Sequence, residues 1–277
     1  MYLCKVIFYF SGTGNTRHIA RLVHETLGER LVDMADVALE DARFAVKADE
    51  RVGFVFPVHG WRTPILVRRF IDALHIEVTN KDPFCYVIMT AGDSIGMAMD
   101  RLLPHLERKG LATQAVCSLV MPESYVGLPF MDVDTEEKER AKIAEADELL
   151  SVFLESVKNR DGSQFEEQYR NLTRGPLPSF FSGPVGAFFE RYLIKDRPFK
   201  VDESLCVGCG KCAKVCPVQN IRCENGTAPK WLHNGKCLTC FACYHHCPKK
   251  AIAYGGRTKT KGQYYFGRRR SGEAKGE

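Results

Sequence analysis

Residues 206–217 read CVGCGKCAKVCP and residues 237–248 read CLTCFACYHHCP. Both spell Cys-x2-Cys-x2-Cys-x3-Cys-Pro, and every cysteine of the first string recurs at one constant offset in the second. Three thiolates this close can take three iron corners of one cube, while a fourth cysteine followed by proline cannot fold back and points into the other half of the repeat. The pattern therefore reads as two cubane 4Fe-4S clusters in a small duplicated domain. Structural zinc takes four ligands, usually as two separated pairs, so three crowded cysteines per loop, twice over, favour clusters. Disulfides are disfavoured too. Lys5 interrupts the N-terminal apolar stretch and no signal-peptide pattern is visible, so a reducing cytoplasm is the expected compartment.

The two-cluster rule of bacterial ferredoxins gives the ligand sets. One cluster takes Cys206, Cys209, Cys212 and Cys247, and the other takes Cys237, Cys240, Cys243 and Cys216. Pro217 and Pro248 turn the chain away after each crossing ligand. Gly208 and Gly210 let the first loop wrap closely, whereas the second loop carries Leu238, Thr239, Phe241 and Ala242 there. Of the four remaining cysteines, Cys4, Cys85 and Cys117 lie in apolar runs and read as inert packing, as does Cys223.

With 277 residues, 45% of them hydrophobic, the chain has room for one full α/β domain beside the cysteine repeat. No run of 18 apolar residues is present, so no transmembrane span is expected. Net charge is +5, but residues 201–277 hold 14 Lys/Arg against 5 Asp/Glu. Each oxidised cubane with its thiolates adds roughly −2, so much of that positive charge can balance the clusters.

The N-terminal half opens with the apolar run YLCKVIFYF, stops at Ser11-Gly12-Thr13-Gly14-Asn15-Thr16, and resumes with a helical pattern at Ile19, Leu22, Val23 and Leu27. Strand, phosphate loop and helix follow one another. Hydroxyls and first-turn N–H groups can bind a phosphate without lysine, and the Gly-Lys-Ser/Thr of a P-loop is absent. A second run, RVGFVFPV, ends in Pro57-Val58-His59-Gly60-Trp61, and a third, FCYVIMTA, contains Thr90 and Ala91 and is followed by Gly92-Asp93. Helical patterns at 63–74 and 95–110, the latter with Pro104 kinking or ending a turn, separate these strands from the next. A further strand, LATQAVCSLVMP, precedes a charged helix from Glu136 to Val157. The alternation predicts a five-stranded, doubly wound parallel sheet with its ligand at the carboxyl ends of the strands.

On these residues the N-terminal half resembles the flavodoxin family, since SGTGNT is similar to the flavodoxin phosphate loop. The resemblance implies FMN and strand order 2-1-3-4-5, with FMN at the switch point between strands 1 and 3. It implies that Ser11, Gly12, Thr13, Gly14, Asn15 and Thr16 hold the phosphate. Pro57, Val58, His59, Gly60 and Trp61 would flank one face and edge of the ring, and Thr90, Ala91, Gly92 and Asp93 the other side. The Gly60 peptide can reorient beside the flavin, and Trp61 can stack on it. The stretch Met121 to Pro129 can rim the pocket, with no role assigned. The whole chain resembles flavodoxin-ferredoxin fusion proteins. The implied layout is a flavodoxin-like domain at 1–160, a connecting segment at 161–198, a two-cluster ferredoxin domain at 199–256 and a basic tail at 257–277.

The connecting segment is rich in Pro, Gly and Phe, and reads as packing against a domain or sealing a joint rather than as a flexible linker or a membrane anchor. The tail reads as solvated, with its end disordered; docking of an acidic redox partner is its secondary use, and no nucleic-acid-binding module accompanies it. The expected activity is electron transfer between FMN, two 4Fe-4S clusters and redox partner proteins, as a carrier rather than an enzyme with its own substrate. The alternatives are a flavin-dependent reductase of a small molecule fed by the clusters, and a ferredoxin carrying a docking domain without flavin.

Overall fold

The computed structural model describes residues 5–47, 50–79, 83–224 and 226–268. Cys4 and residues 269–277 lie outside the described residues. A five-stranded parallel sheet runs in the order β2-β1-β4-β6-β7, made of β1 (Val6–Tyr9), β2 (Arg30–Asp33), β4 (Arg51–Pro57), β6 (Phe84–Ala91) and β7 (Thr113–Val120). This is the doubly wound order 2-1-3-4-5 that the resemblance implied. A short parallel pair, β3 (Arg43–Lys47) with β5 (His75–Thr79), stands apart from it and was not foreseen.

The alternation of strand side chains places one core on each face. Val6 and Phe8 of β1, and Phe10 just after it, point to the side of α2 (Ile65–Ala73) and α3 (Ala98–Glu107). Ile7 points to the side of α1 (Asn15–Leu27) and α4 (Glu136–Asn159). The helix α3 runs through Pro104 instead of ending there. Thr135 caps α4 by accepting the Lys138 N–H. Among the described residues, no helix is long and apolar enough to cross a membrane.

One buried acid ties the sheet's lower end together. Glu29 is wholly buried, ion-paired with Arg51 and accepting the Tyr86 hydroxyl at 2.8 Å. The Tyr86 ring crosses β4 at Gly53, where an added Cβ would stand 2.3 Å from Tyr86 Cζ.

Residues 161–173 complete this sheet rather than starting a connection. The side chain of Gln168 accepts the Val116 N–H, Ser118 Oγ accepts the Thr173 N–H, and Phe165, Tyr169 and Leu172 join the core. They include the short helix α5 (Phe165–Arg170) and cover the open edge of β7. Residues 178–193 are helical with a break at Gly183. They lie against the loop after β4, where Arg62 donates to the Ser182 and Gly183 carbonyls and pairs with Glu190.

The C-terminal domain shows its duplication in three dimensions. Strand β8 (Phe199–Val201) pairs antiparallel with β11 (Ile252–Tyr254), and β9 (Ile221–Arg222) with β10 (Lys230–Trp231). Short helices at Lys211–Lys214 and Ala242–His245 follow the two cysteine loops. Phe199, Ile221, Phe241, Tyr244, Ile252 and Tyr254 form its core, together with Val126 from the first domain.

Gly53→Ala is expected to lower stability by about 1–3 kcal/mol through this overpacking, read as a lower denaturant midpoint at unchanged slope. An unchanged midpoint would mean that Tyr86 can move aside freely.

Candidate functional site

A cleft with about 950 Å³ of empty space, part of it open to solvent, lies at the carboxyl ends of β1, β4 and β6. It is lined by all but one of the positions expected to hold a flavin: Ser11, Gly12, Thr13, Asn15, Thr16, Pro57 to Trp61 and Thr90 to Asp93. The exception, Gly14, faces the opposite side of its loop, where an added Cβ would meet Phe266 at 3.0 Å. The helix α1 starts from this loop, and the N–H groups of its first turn have no intrahelical acceptors. The Ser11 hydroxyl accepts the N–H groups of Gly14 and Arg17, and Thr16 and Thr90 share a hydroxyl hydrogen bond of 2.8 Å. Hydroxyls and a helix N-terminus form a donor set that suits a phosphomonoester.

His59, Gly60, Trp61 and Arg62 form a tight turn closed by hydrogen bonds between His59 and Arg62 in both directions. Both central residues are left-handed, with φ of 58° at Gly60 and 58° at Trp61. The Trp61 ring leans on Phe181 at 4.7 Å, and its N–H donates to the Ser94 hydroxyl at 3.2 Å. His59 is half-buried on the wall of the cleft, and the atoms crowded around its ring strip enough hydration to lower its pKa to about 4.

Other lining residues were not assigned from the sequence. Phe189 comes from the connecting segment and leaves no room for a side chain at Gly60, since an added Cβ would lie 2.6 Å from its ring. Glu123, Ser124 and Tyr125 come from the loop after β7, and Leu238, Thr239 and Cys240 from the second cysteine loop. Only the 121–129 stretch carried a sequence signal, its place after a strand. The rest arrive by packing between segments far apart in the chain.

The eight motif cysteines surround two further cavities. One, of about 350 Å³, is lined by Cys206, Cys209, Cys212 and Cys247. The other, of about 320 Å³, is lined by Cys216, Cys237, Cys240 and Cys243. Each thus gathers three cysteines of one loop and the last of the other. No group of three or more described His, Cys, Asp or Glu side chains is drawn tightly enough for a single metal ion. A four-iron cube spreads its thiolates more widely. Burial pushes the Cys240 thiol up to about 12 and those of Cys212 and Cys237 to about 11, so these thiols stay protonated at neutral pH until metal charge draws out the thiolates. Cys223, read as packing, also faces the first cavity, its thiol donating to the Thr227 carbonyl. The buried Cys85 and the half-buried Cys117 stand away from both cavities, and burial raises both thiols to about 12.

The domains are locked together around these sites. Thr239 accepts the Lys195 N–H at 2.9 Å, and Leu238 is buried in the core of the first domain. His245 donates through Nε2 to the Ser124 carbonyl and accepts the Tyr264 N–H at Nδ1, which fixes its tautomer. Tyr125 packs between Phe189, which is tilted against it, and Phe241, which meets it edge-on. Residues 257–268 correct the expectation of a solvated tail. Tyr264 is buried and its hydroxyl donates to the Asn15 side chain; Phe266 donates its N–H to the Thr13 carbonyl and stacks on His18. The Lys261 ammonium sits among the carbonyls of Val126, Leu128 and Met131. Aromatic burial and a satisfied ammonium outweigh the solubility implied by composition.

A family model described as a flavodoxin domain matches residues 6–119, and one described as a 4Fe-4S binding domain matches residues 199–222. An uncharacterized protein of Methanocaldococcus jannaschii is 34% identical over 88 residues, which are 30% of this chain and 32% of that protein. A ferredoxin of Pyrobaculum islandicum is 30% identical over 81 residues, covering 27% of this chain and 75% of the ferredoxin. Among solved structures, Megasphaera elsdenii flavodoxin shows 20% identity and a TM-score of 0.33, over 42% of this chain and 85% of that one. Streptococcus pneumonia TIGR4 flavodoxin shows 17% identity and a TM-score of 0.33, over 53% and 97%.

Two outcomes are expected of this geometry. The depressed pKa of His59 means that between about pH 6.5 and pH 4 the unfolded chain binds a proton that the folded chain refuses, so stability falls as pH falls through that window. His59→Gln should flatten that part of the stability profile, and an unflattened profile would place the titration elsewhere. Lys261→Met should speed amide exchange at 126–131 and 258–266; unchanged exchange would mean that the ammonium does not hold the two segments together.

Proposed function

Since this chain is a flavodoxin-ferredoxin fusion whose domains are of the kinds that carry electrons on a flavin and on iron-sulfur clusters, we propose that it relays electrons between FMN and two 4Fe-4S clusters and exchanges them with redox partner proteins. The observation that carries this reading is Cys240. Its side chain lines both the flavin cleft and the cavity of Cys216, Cys237 and Cys243, with Leu238 beside it on both. When bound, FMN supplies one- or two-electron chemistry and each cubane one-electron chemistry.

The chain's own residues do the rest. Ser11, Thr13, Thr16 and the start of α1 bind the phosphate, and the turn at 59–62 together with Thr90–Asp93 brackets the ring. Phe189, Tyr125 and Leu238 supply apolar lining to the cleft beside Cys240. Cys216 and Cys247 cross between the halves, so the two clusters share one compact core. The outer cavity reaches the surface at exposed Cys209, beside Val207, Lys211 and Lys249, which makes it the site of exchange with an acidic partner.

Anaerobic purification should yield about eight irons and one FMN per chain. Rapid mixing with a one-electron reductant should reduce the clusters first and the flavin afterwards, at a rate independent of protein concentration. Cys240→Ser should keep its FMN, lose up to half the iron and slow flavin reduction by more than an order of magnitude. Flavin and clusters that reduce independently of one another would overturn the relay.

A further inference from the structure

We propose that Glu123 takes up a proton when the flavin in this cleft is reduced, and thereby makes the flavin's reduction potential depend on pH; the inference rests on the flavin reading of the cleft. Glu123 follows β7 and lines the cleft beside the loop at Thr90–Asp93. Its Oε1 accepts the N–H groups of Ser124 at 2.8 Å and Tyr125 at 2.7 Å, which fixes the carboxyl group. Its Oε2 lies over Gly92, 2.3 Å from the place an added Cβ would occupy, so only glycine leaves it room. That oxygen accepts no hydrogen bond from any described residue, and it is the one left to carry a proton.

The charges facing this carboxyl are few. Asp93, in the loop across from it, raises its proton affinity, and Lys142 of α4 lowers it. Lys142 is also held by the Gly92 carbonyl at 2.7 Å and by Asp134 at 2.6 Å, while Asp134 takes a second ammonium from Lys138 and the N–H of Glu123 itself. Asp134 thus offsets one of the two ammonium groups while Lys138 lies out in solvent, and the partial removal of the Glu123 carboxyl from water prevails, holding its pKa above the usual carboxylate range. Lys142 with Asp134 links the site to the outer face of α4, where Lys138 is exposed.

The coupling follows from Coulomb's law. An electron passing from a reduced 4Fe-4S cluster to the flavin adds negative charge beside the carboxylate, which raises its pKa further. Between the two pKa values the oxidised state holds a carboxylate and the reduced state a carboxylic acid. One cluster electron and one solvent proton are then taken up together, and no bond of the chain is broken.

The sign of the effect is fixed. Below both pKa values Glu123 is neutral in either state, and above both it is charged in either state and opposes reduction. The flavin midpoint potential of the FMN-loaded, cluster-loaded protein is measured by anaerobic spectroelectrochemistry from about pH 5 to pH 9, for wild type and Glu123→Gln. The two should coincide at the acid end, with the variant's potential rising above that of wild type as pH increases and the gap then levelling off. A gap that does not change with pH, or no gap, overturns the inference. A second measurement needs no variant: the reduced-minus-oxidised infrared difference spectrum of wild type grown with carboxyl-labelled glutamate should show a label-sensitive carboxylic acid band on reduction, and its absence overturns the inference as well. A protein that holds no FMN overturns the flavin reading and this inference with it. One that holds FMN but shows a constant gap overturns this inference alone.

Discussion

The architecture depends on a close approach of the phosphate loop to the second cysteine loop: a Cβ on Gly12 would stand 2.9 Å from the Cβ of Cys240. One loop ends the first strand of the sheet and the other carries a cluster thiol, so two sites made by different domains share a wall. Residue 12 must be glycine for reasons of space, and the second cysteine loop must take an unusual path to arrive there. That path is strained. Gly208 and Gly210 of the first loop have φ of 62° and 68°, and their counterparts in the second, Thr239 and Phe241, adopt 49° and 58°. For a β-branched and an aromatic residue this left-handed backbone costs on the order of 1–3 kcal/mol each.

Interdomain contacts offset that cost, and they explain why side chains stand where the first loop has glycine. The Thr239 hydroxyl accepts the Lys195 N–H and lies within reach of the Leu193 and Lys195 carbonyls. Phe241 is almost wholly buried, edge-on to Tyr125 of the first domain and packed against Phe199 and Tyr254 of its own. A glycine at either position would relieve the backbone and lose the dock. The first loop keeps its glycines, lies against Gly226 of its own domain and faces solvent at Cys209. The two halves of the duplication therefore differ, one docked to the sheet domain and the other open to solvent at Cys209.

What was legible in the sequence is what local patterning dictates. Alternation, glycine-rich turns and the cysteine spacing led to a five-stranded doubly wound sheet and to the two cysteine loops, because each depends on neighbours a few positions away, whereas the strand order and the residues around the cleft came from the resemblance to flavodoxins. The seam was not legible. Phe189, Tyr125 and Tyr264 look like ordinary aromatics in irregular segments, and only contacts between segments far apart in the chain make them walls and braces. Lys261 misled for a related reason: composition counts a charge but cannot say that three carbonyls of another domain await it. The edge cover at 161–173 was likewise hidden, since a glutamine that replaces a missing strand has no periodic signature.

These placements change what the basic C-terminal half is for. Arg257 donates to the Gly127 carbonyl, Arg268 to that of Gln263, and Lys261 to three carbonyls of the 126–131 segment, so most of the tail's described cations are engaged with backbone carbonyls. Lys211, Lys214, Lys249 and Lys250 remain at or near the surface around the outer cysteine cavity, Lys211 also lying over the Tyr265 ring. Negative charge built up on thiolate-bound iron would be met there by cations in higher dielectric, where each interaction is weak and adjustable. At the flavin end the matching is by enclosed groups instead, Glu123 among them, where a single charge counts for more. The outer cysteine cavity and the cleft therefore differ in their electrostatics, the one met by solvent-exposed cations and the other by partly buried groups.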